Sequence, residues 1–269
     1  MQRIITAVIL GSLVVVGIFY LPFNGFKILT TLVVAIAAWE YAGLFWQTSL
    51  QKRLGFIGSF FVVAIVTQFF PAQPTLIIGG LWWLIAPYFL WRYSMDSTHR
   101  FTNIIWQWFL GLLIFVPCLS GLLEIQEKFG PMFLLYLLSI VCAADIGAYF
   151  VGMFWGKHPL AAQISPNKTF EGLLGGILAV LLVTAVGALL SAFGYLDIML
   201  SGKRGISLLI LIIITCLWSV FGDLFASMLK RQVGVKDTGQ LLPGHGGMYD
   251  RIDSLTAAVP IFVLGLLLI

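Results

Sequence analysis

Asp250 and Asp253 stand three residues apart near the C-terminal end of this 269-residue chain, and Asp223 precedes them inside the apolar run Leu217-Trp218-Ser219-Val220-Phe221-Gly222. A helix through Asp250-Arg251-Ile252-Asp253 places its two carboxylates on one face. Like charges there repel unless a cation lies between them. A hard divalent ion, Mg²⁺ above all, held by one or two carboxylates and by substrate phosphates, resolves the repulsion without His or Cys ligands. Asp223 would complete such a site. The same stretch carries Lys230, Arg231, Lys236 and Arg251, and Pro243-Gly244-His245-Gly246-Gly247 offers backbone able to fold around an anion. Acids for a metal beside bases for oxyanions point to phosphoryl chemistry. A plain basic loop ending in a helix-capping Asp250 would account for Lys230 and Arg231. It leaves Asp223, Asp253 and the glycines unexplained together.

Stepping outward from these residues, the rest of the chain is strongly apolar: 60% hydrophobic, 10% charged, mean hydropathy +1.03. No soluble core accounts for this composition. Apolar segments long enough to cross about 30 Å of hydrocarbon as helix recur nine times, over approximately residues 4–21, 26–47, 54–70, 76–92, 102–122, 131–152, 171–193, 206–229 and 253–269. They are too long and too continuously apolar for barrel strands. The expectation is therefore an all-α integral membrane protein, a polytopic bundle of about nine transmembrane helices. One domain spans 1–269, with an N-terminal helical portion of about 1–125 and a catalytic portion of about 131–269.

With nine helices, Arg3, Lys52, Arg53, Arg92, Arg100, Lys157, Lys168, Lys230, Arg231, Lys236 and Arg251 fall on one side, and Lys27, Lys128, Lys203 and Arg204 on the other. Cytoplasmic loops collect Lys and Arg, so the N-terminus and the charged 230–252 loop are expected in the cytoplasm. The first apolar run has no small-x-small cleavage pattern before Pro22 and is expected to stay as a helix and not be removed as a signal peptide. The net charge of +4 belongs to this anchoring, and no long basic tract invites nucleic acid. Cys118, Cys142 and Cys216 are scattered singly and read as packing residues. His99 and His158, in basic loops, read as solvent-facing.

An Asp near the centre of a spanning helix is costly, about 2.5–3.5 kcal/mol on insertion scales, and marks function by default. Asp145 and Asp223 qualify, at similar depth below the cytoplasmic surface. An ion-coupled transporter using these two acids is the reading from another class, and it leaves the basic, glycine-containing loop without a purpose. Glu40, among Trp39, Tyr41 and Trp46, reads as a structural interfacial acid. A second polar element, Ser165-Pro166-Asn167-Lys168-Thr169-Phe170-Glu171-Gly172, opens the seventh helix, where Lys168 and Thr169 can bind phosphate at a helix N-terminus. Gly172, Gly175 and Gly176 suit close backbone approach, as do Gly152 and Gly156 more weakly.

The stretch Ser227-Met228-Leu229-Lys230-Arg231, then Lys236-Asp237-x-Gly239, then Leu242-Pro243-x-His245-Gly246-Gly247-Met248-x-Asp250-Arg251-Ile252-Asp253 resembles the signature of the phosphatidate cytidylyltransferases, or CDP-diacylglycerol synthases. The 165–172 element is similar to that family's S-P-x-K-T-x-E-G segment. The resemblance implies transfer of the cytidylyl group of CTP to phosphatidic acid, giving CDP-diacylglycerol and pyrophosphate, at the cytoplasmic face of a bacterial inner membrane. With Asp223 from the preceding helix, the catalytic residues are then expected to be Asp223, Asp250, Asp253 and Lys236. Substrate phosphate is expected at Lys168, Thr169, Lys230, Arg231, His245, Gly246, Gly247 and Arg251. Mg²⁺ on Asp223, Asp250 and Asp253, a second cation with Asp145, and a homodimer complete the expectation. A related transferase acting on a polyprenol or another lipid phosphate would share this metal-and-phosphate logic.

Overall fold

The computed structural model describes residues 2–96, 101–189, 203–241 and 246–269. Among the described residues there are nine long helices: α1 Gln2–Tyr20, α2 Phe23–Trp46, α3 Leu50–Val66, α4 Ala72–Met95, α5 Ile104–Glu124, α6 Pro131–Trp155, α7 Phe170–Leu189, α8 Lys203–Gln232 and α9 Tyr249–Leu268. Eight of them, α2 to α9, are long and apolar enough to cross a membrane, and α1 carries a shorter apolar stretch at Val8–Tyr20. The chain is an all-α polytopic membrane protein. Its outer surface agrees, since large apolar side chains such as Leu174, Leu178, Leu182 and Val186 form an exposed stripe along α7. That four-residue spacing is one face of a helix turned to lipid.

The turns follow local chemistry. Ser49 and Asn103 cap α3 and α5 by accepting from the backbone N–H groups of Lys52 and Ile105. A π turn over Ile125–Phe129 ends at Gly130, whose φ of 84° only glycine adopts easily, and Pro131 then opens α6 at a position needing no N–H.

Successive helices alternate in direction, so the C-terminal ends of α2, α4, α6 and α8 share one end of the bundle with the N-terminal ends of α3, α5, α7 and α9. Trp46 at the end of α2 donates its indole N–H to Gln107 near the start of α5 at 2.9 Å, and Gln232 at the end of α8 accepts from the Phe101 N–H at 2.9 Å. Lys52, Arg53, Arg92, Lys157, Lys168, Lys230, Arg231, Lys236 and Arg251 gather at this end. Lys27, Lys128 and Arg204 lie at the other, so the charge asymmetry read from the sequence is a property of the fold. Arg100 lies outside the described residues.

The 165–172 segment opens the seventh helix as expected, with Phe170-Glu171-Gly172 as its first residues, and adds a hairpin that the sequence did not signal. Pro159–Ala161 (β1) and Ser165–Thr169 (β2) pair antiparallel, and α7 begins only at Phe170. Lys168 is therefore presented from a strand.

The last helix, α9, is the hub: it packs on α8, α5, α4, α2 and α6. Its Tyr249 ring stacks edge-on with Phe115 of α5 and Tyr41 of α2, at 5.1 and 6.2 Å between centroids. All three rings are fully buried. The N-terminal and C-terminal portions of the chain thus share one aromatic core directly beneath the charged loop.

Candidate active site

Glycine sets how closely the helices that carry the acids approach. On α8, a Cβ at Gly222 would lie 2.6 Å from the Asp253 carbonyl oxygen of α9 and 3.1 Å from the Ala257 side chain. The bare backbone there lets α8 and α9 touch, which sets Asp223 against Asp253. On α6 and α7, a Cβ at Gly176 would lie 2.8 Å from the Ala144 carbonyl oxygen, and one at Gly172 would lie 2.8 Å from that of Ala148. This glycine face lies opposite the lipid-facing leucine stripe of α7. It draws Asp145, one residue beyond Ala144, toward the same space. Gly152 likewise faces Thr169 and Gly172 within the chain.

Four elements then meet. Lys168 of β2 pairs with Asp223 of α8, Nζ to Oδ2 at 2.5 Å, and the other Asp223 oxygen accepts from the Ser227 hydroxyl at 3.3 Å. Asp145, Lys168 and Asp223 line one cavity of about 290 Å³ with Thr169 and Tyr149. Behind Asp223 lies Asp253, 7% exposed, with its Oδ1 accepting from the Ser254 N–H at 2.8 Å. The Asp223 charge acts on both Asp253 and Asp145, and Lys168 offsets it at each. A larger apolar cavity of about 540 Å³ lies between α4, α5 and α8, lined on α8 by Met228 and Gln232. It holds no acid and sits on the opposite face of α8 from Asp223, Ser227 and Lys230.

Asp250 behaves differently from Asp253, although both stand in the first turns of α9. Its Oδ1 accepts from Lys230 Nζ at 2.7 Å, and its Oδ2 from the Thr238 N–H at 2.9 Å, the Thr238 hydroxyl at 3.0 Å and the Gly247 N–H at 2.9 Å. Both side chains of the Lys230–Asp250 pair are nearly buried, at 11% and 6% exposed. With both oxygens taken by the chain's own donors, Asp250 ties the end of α8 to the loop and to α9. Asp253 and Asp223 carry no such set of donors.

The remaining expected residues divide between rim and scaffold. Lys236 and Arg251 are exposed at the rim, and Arg251 is close enough for its charge to act on Asp145. Arg231 donates to the carbonyls of Ile164 (Nε, 3.4 Å) and Val235 (Nη1, 3.5 Å), holding the hairpin against α8. Thr169 caps α7, its hydroxyl accepting from the Gly172 N–H at 3.1 Å. Gly246 adopts φ 80°, and a Cβ there would lie 2.9 Å from the Asp250 carboxylate. His158 is exposed, as expected, yet its ring meets Glu171 at 2.6 Å, and Glu171 also accepts from the N–H groups of Lys157 and His158. His245 and His99 lie outside the described residues.

Among the described residues, no three of His, Cys, Asp and Glu are gathered into a ready ion cage. Mg²⁺ commonly takes one or two carboxylates and completes its shell with water and substrate phosphates. Asp223 and Asp253, whose charges act on one another and of which the second is buried, are the acids that fit that requirement. All three cysteines are free; Cys118 and Cys216 are buried, as packing residues are, and Cys142 is exposed.

Sequence reasoning missed Gln107 and Tyr249, and it read Glu40 as a structural acid without naming its partners. Glu40 of α2 is buried and accepts from the Tyr249 N–H at 2.8 Å and the Thr238 hydroxyl at 3.1 Å. Gln107 knits α2, α5 and the 101 segment, accepting from Trp46 and the Tyr41 hydroxyl and donating to the Phe101 carbonyl at 2.6 Å. An acid among apolar residues was the available signal for Glu40. Nothing local announces its partners some two hundred positions away.

Comparison with known proteins matches the model of the cytidylyltransferase family over residues 1–269. The chain is 35% identical to a phosphatidate cytidylyltransferase of Pseudomonas aeruginosa over 264 residues, covering 97% of this chain and 94% of that protein. It is 33% identical to one of Haemophilus influenzae over 286 aligned residues, covering 97% and 96%. A shorter match, 36% over 167 residues, joins 61% of the chain to 53% of the uncharacterized protein YnbB of Escherichia coli. With the family matched from the first residue to the last, and its motif residues brought by four elements to one end of a membrane bundle, the chain belongs to the cytidylyltransferase family.

Proposed function

We propose that this enzyme transfers the cytidylyl group of CTP to phosphatidic acid, forming CDP-diacylglycerol and pyrophosphate, at the cytoplasmic face of a bacterial inner membrane. The observation that carries this reading is the meeting of Lys168, Asp223 and Asp145 in one cavity, with Asp253 behind Asp223. That cavity lies at the bundle end that collects the Lys and Arg residues, which supports a cytoplasmic orientation. A site there is reached from water by a nucleotide and from the leaflet by a lipid phosphate. The names of the Pseudomonas and Haemophilus relatives support the same substrates.

In the proposed reaction a phosphate oxygen of phosphatidic acid attacks the α-phosphorus of CTP. A new P–O–P bond forms as the bond from the α-phosphorus to the bridging oxygen breaks, and pyrophosphate leaves with that electron pair. The lipid phosphate is already a nucleophile at neutral pH, so no Ser or Cys intermediate is needed. Lys236 and Arg251 at the rim draw in the triphosphate. Lys168 exchanges its Asp223 partner for a phosphate oxygen and neutralises charge there. Asp223 and Asp253 would hold a hard divalent cation such as Mg²⁺, which would supply further neutralisation at the reacting phosphate, and Asp145 would serve a second cation. Lys230 and Asp250 hold the loop that frames the site, so catalysis rests on positioning and charge.

The test is pyrophosphate release by purified protein in detergent with CTP, phosphatidic acid and Mg²⁺. Release dependent on phosphatidic acid is the expected result. No release from folded protein would sink the proposal, and release with a polyprenyl phosphate alone would transfer it to another lipid acceptor.

A further inference from the structure

We infer that Glu40 is a positioning residue for the nucleotidyl site: an acid of the N-terminal portion that sets residues 237–241, Gly247 and the first turn of α9. The inference deepens the function proposed above and rests on it for the kinetic readout only. Glu40 is 7% exposed and lies 198 residues from Thr238 and 209 from Tyr249, its two hydrogen-bond partners. Its Oε2 accepts the N–H of Tyr249, the residue that opens α9, where a helix has free N–H groups and a partial positive charge. The same oxygen meets the Thr238 hydroxyl, which also meets Oδ2 of Asp250. One hydroxyl hydrogen therefore serves two carboxylates, and a shift of either acid is felt by the other.

The glycines around Glu40 are an independent observation. A Cβ on Gly239 would come within 2.5 Å of Glu40 Oε1, and one on Gly247 would run into Glu40 Oε2 and the Thr238 hydroxyl. Gly239 and Gly247 thus leave room for the chain's own Glu40 carboxylate. Through Thr238, Asp250 and Lys230 the contact runs to the end of α8. Through Tyr249 it fixes the helix turn that carries Asp253.

The variants are Glu40→Gln and Glu40→Ala in the full-length protein. In Glu40→Gln the amide oxygen can stand in for Oε2 and accept from both the Tyr249 N–H and the Thr238 hydroxyl, so this variant removes the charge and keeps the hydrogen bonds. Hydrogen exchange is the readout that needs no activity. Amides of residues 233–241 and 246–252 are expected to exchange at least about tenfold faster in Glu40→Ala and less so in Glu40→Gln, with α6 and α7 unchanged. In the pyrophosphate assay kcat/KM for CTP is expected to fall at least about thirtyfold in Glu40→Ala and several-fold in Glu40→Gln, while KM for the lipid stays level. Pairing Glu40→Ala with Thr238→Val should cost less than the sum of the two single changes, because each removes the Glu40–Thr238 hydrogen bond. Wild-type exchange in the loop of Glu40→Ala overturns the inference, as does a loss of exchange protection spread evenly over the bundle. A wild type that releases no pyrophosphate with any lipid phosphate overturns the proposed function, and the exchange experiment still decides the role of Glu40.

Discussion

Two carboxylates three residues apart on α9 are expected to respond in opposite ways to the same change. Asp250→Asn removes the charge that neutralises Lys230, whose side chain is 11% exposed, and turns an amide toward one of the groups now donating to Asp250: the Lys230 ammonium, the Thr238 N–H and hydroxyl, and the Gly247 N–H. Removing one partner of a buried ion pair costs about 3–5 kcal/mol. For a chain of this size that corresponds to a fall in Tm of about 10 °C. Asp253→Asn instead relieves the repulsion from Asp223 and keeps the oxygen that accepts from the Ser254 N–H. Its Tm should be unchanged or raised, while turnover falls at least about 100-fold, the size of effect seen when charge placed against a transition state is removed. Tryptophan fluorescence during heating in detergent, together with pyrophosphate release, measures both. Adding Lys230→Met to Asp250→Asn should recover part of the loss, with a coupling of about 1–3 kcal/mol. An Asp250→Asn protein that melts with the wild type, or an Asp253→Asn protein that melts as early as Asp250→Asn, would refute the division of these acids into scaffold and reacting site.

Three further outcomes are expected. Lys168→Met should lower turnover at least about 100-fold with little change in Tm, because the partly exposed pair with Asp223 contributes about 1 kcal/mol or less to folding; unchanged kinetics would remove Lys168 from the site. Gly222→Ala should cost about 1–3 kcal/mol by overpacking α8 against the Asp253 carbonyl, and should depress activity as well, so a variant with wild-type Tm would contradict the close approach. Chelation of divalent ions should abolish pyrophosphate release without loss of helix content by circular dichroism, and readdition of Mg²⁺ should restore it. Activity that survives EDTA would argue against a metal on Asp223 and Asp253.

Much of this was legible in the chain itself. Hydropathy located the helices within a few residues, because backbone in lipid must be satisfied within each segment and so each span declares itself locally. The alternation of basic residues placed Lys168, Asp223 and the 230–252 loop at one end before any contact was known. The grouping of Asp145 with Asp223 followed from depth alone, and both line one cavity. Less visible was the β1–β2 hairpin, whose short strands carry no periodic apolar signal. Asp250 and Asp253 look alike in sequence. Helix geometry put them on one side, yet Lys230 and the loop donors claim the first, and the Asp223 charge acts on the second.

Sequence by itself therefore determined the membrane bundle, its polarity and the inventory of charged groups, since those depend on composition and on spacing along one chain. Tertiary structure decided which acid faces which base. That choice turns on distances of a few ångströms between α2, α8 and α9, set by where glycine lets backbones touch. Glu40 shows the physical reason most plainly: its partners lie about two hundred residues away, and only packing around the buried Tyr41, Phe115 and Tyr249 rings brings them within hydrogen-bond reach.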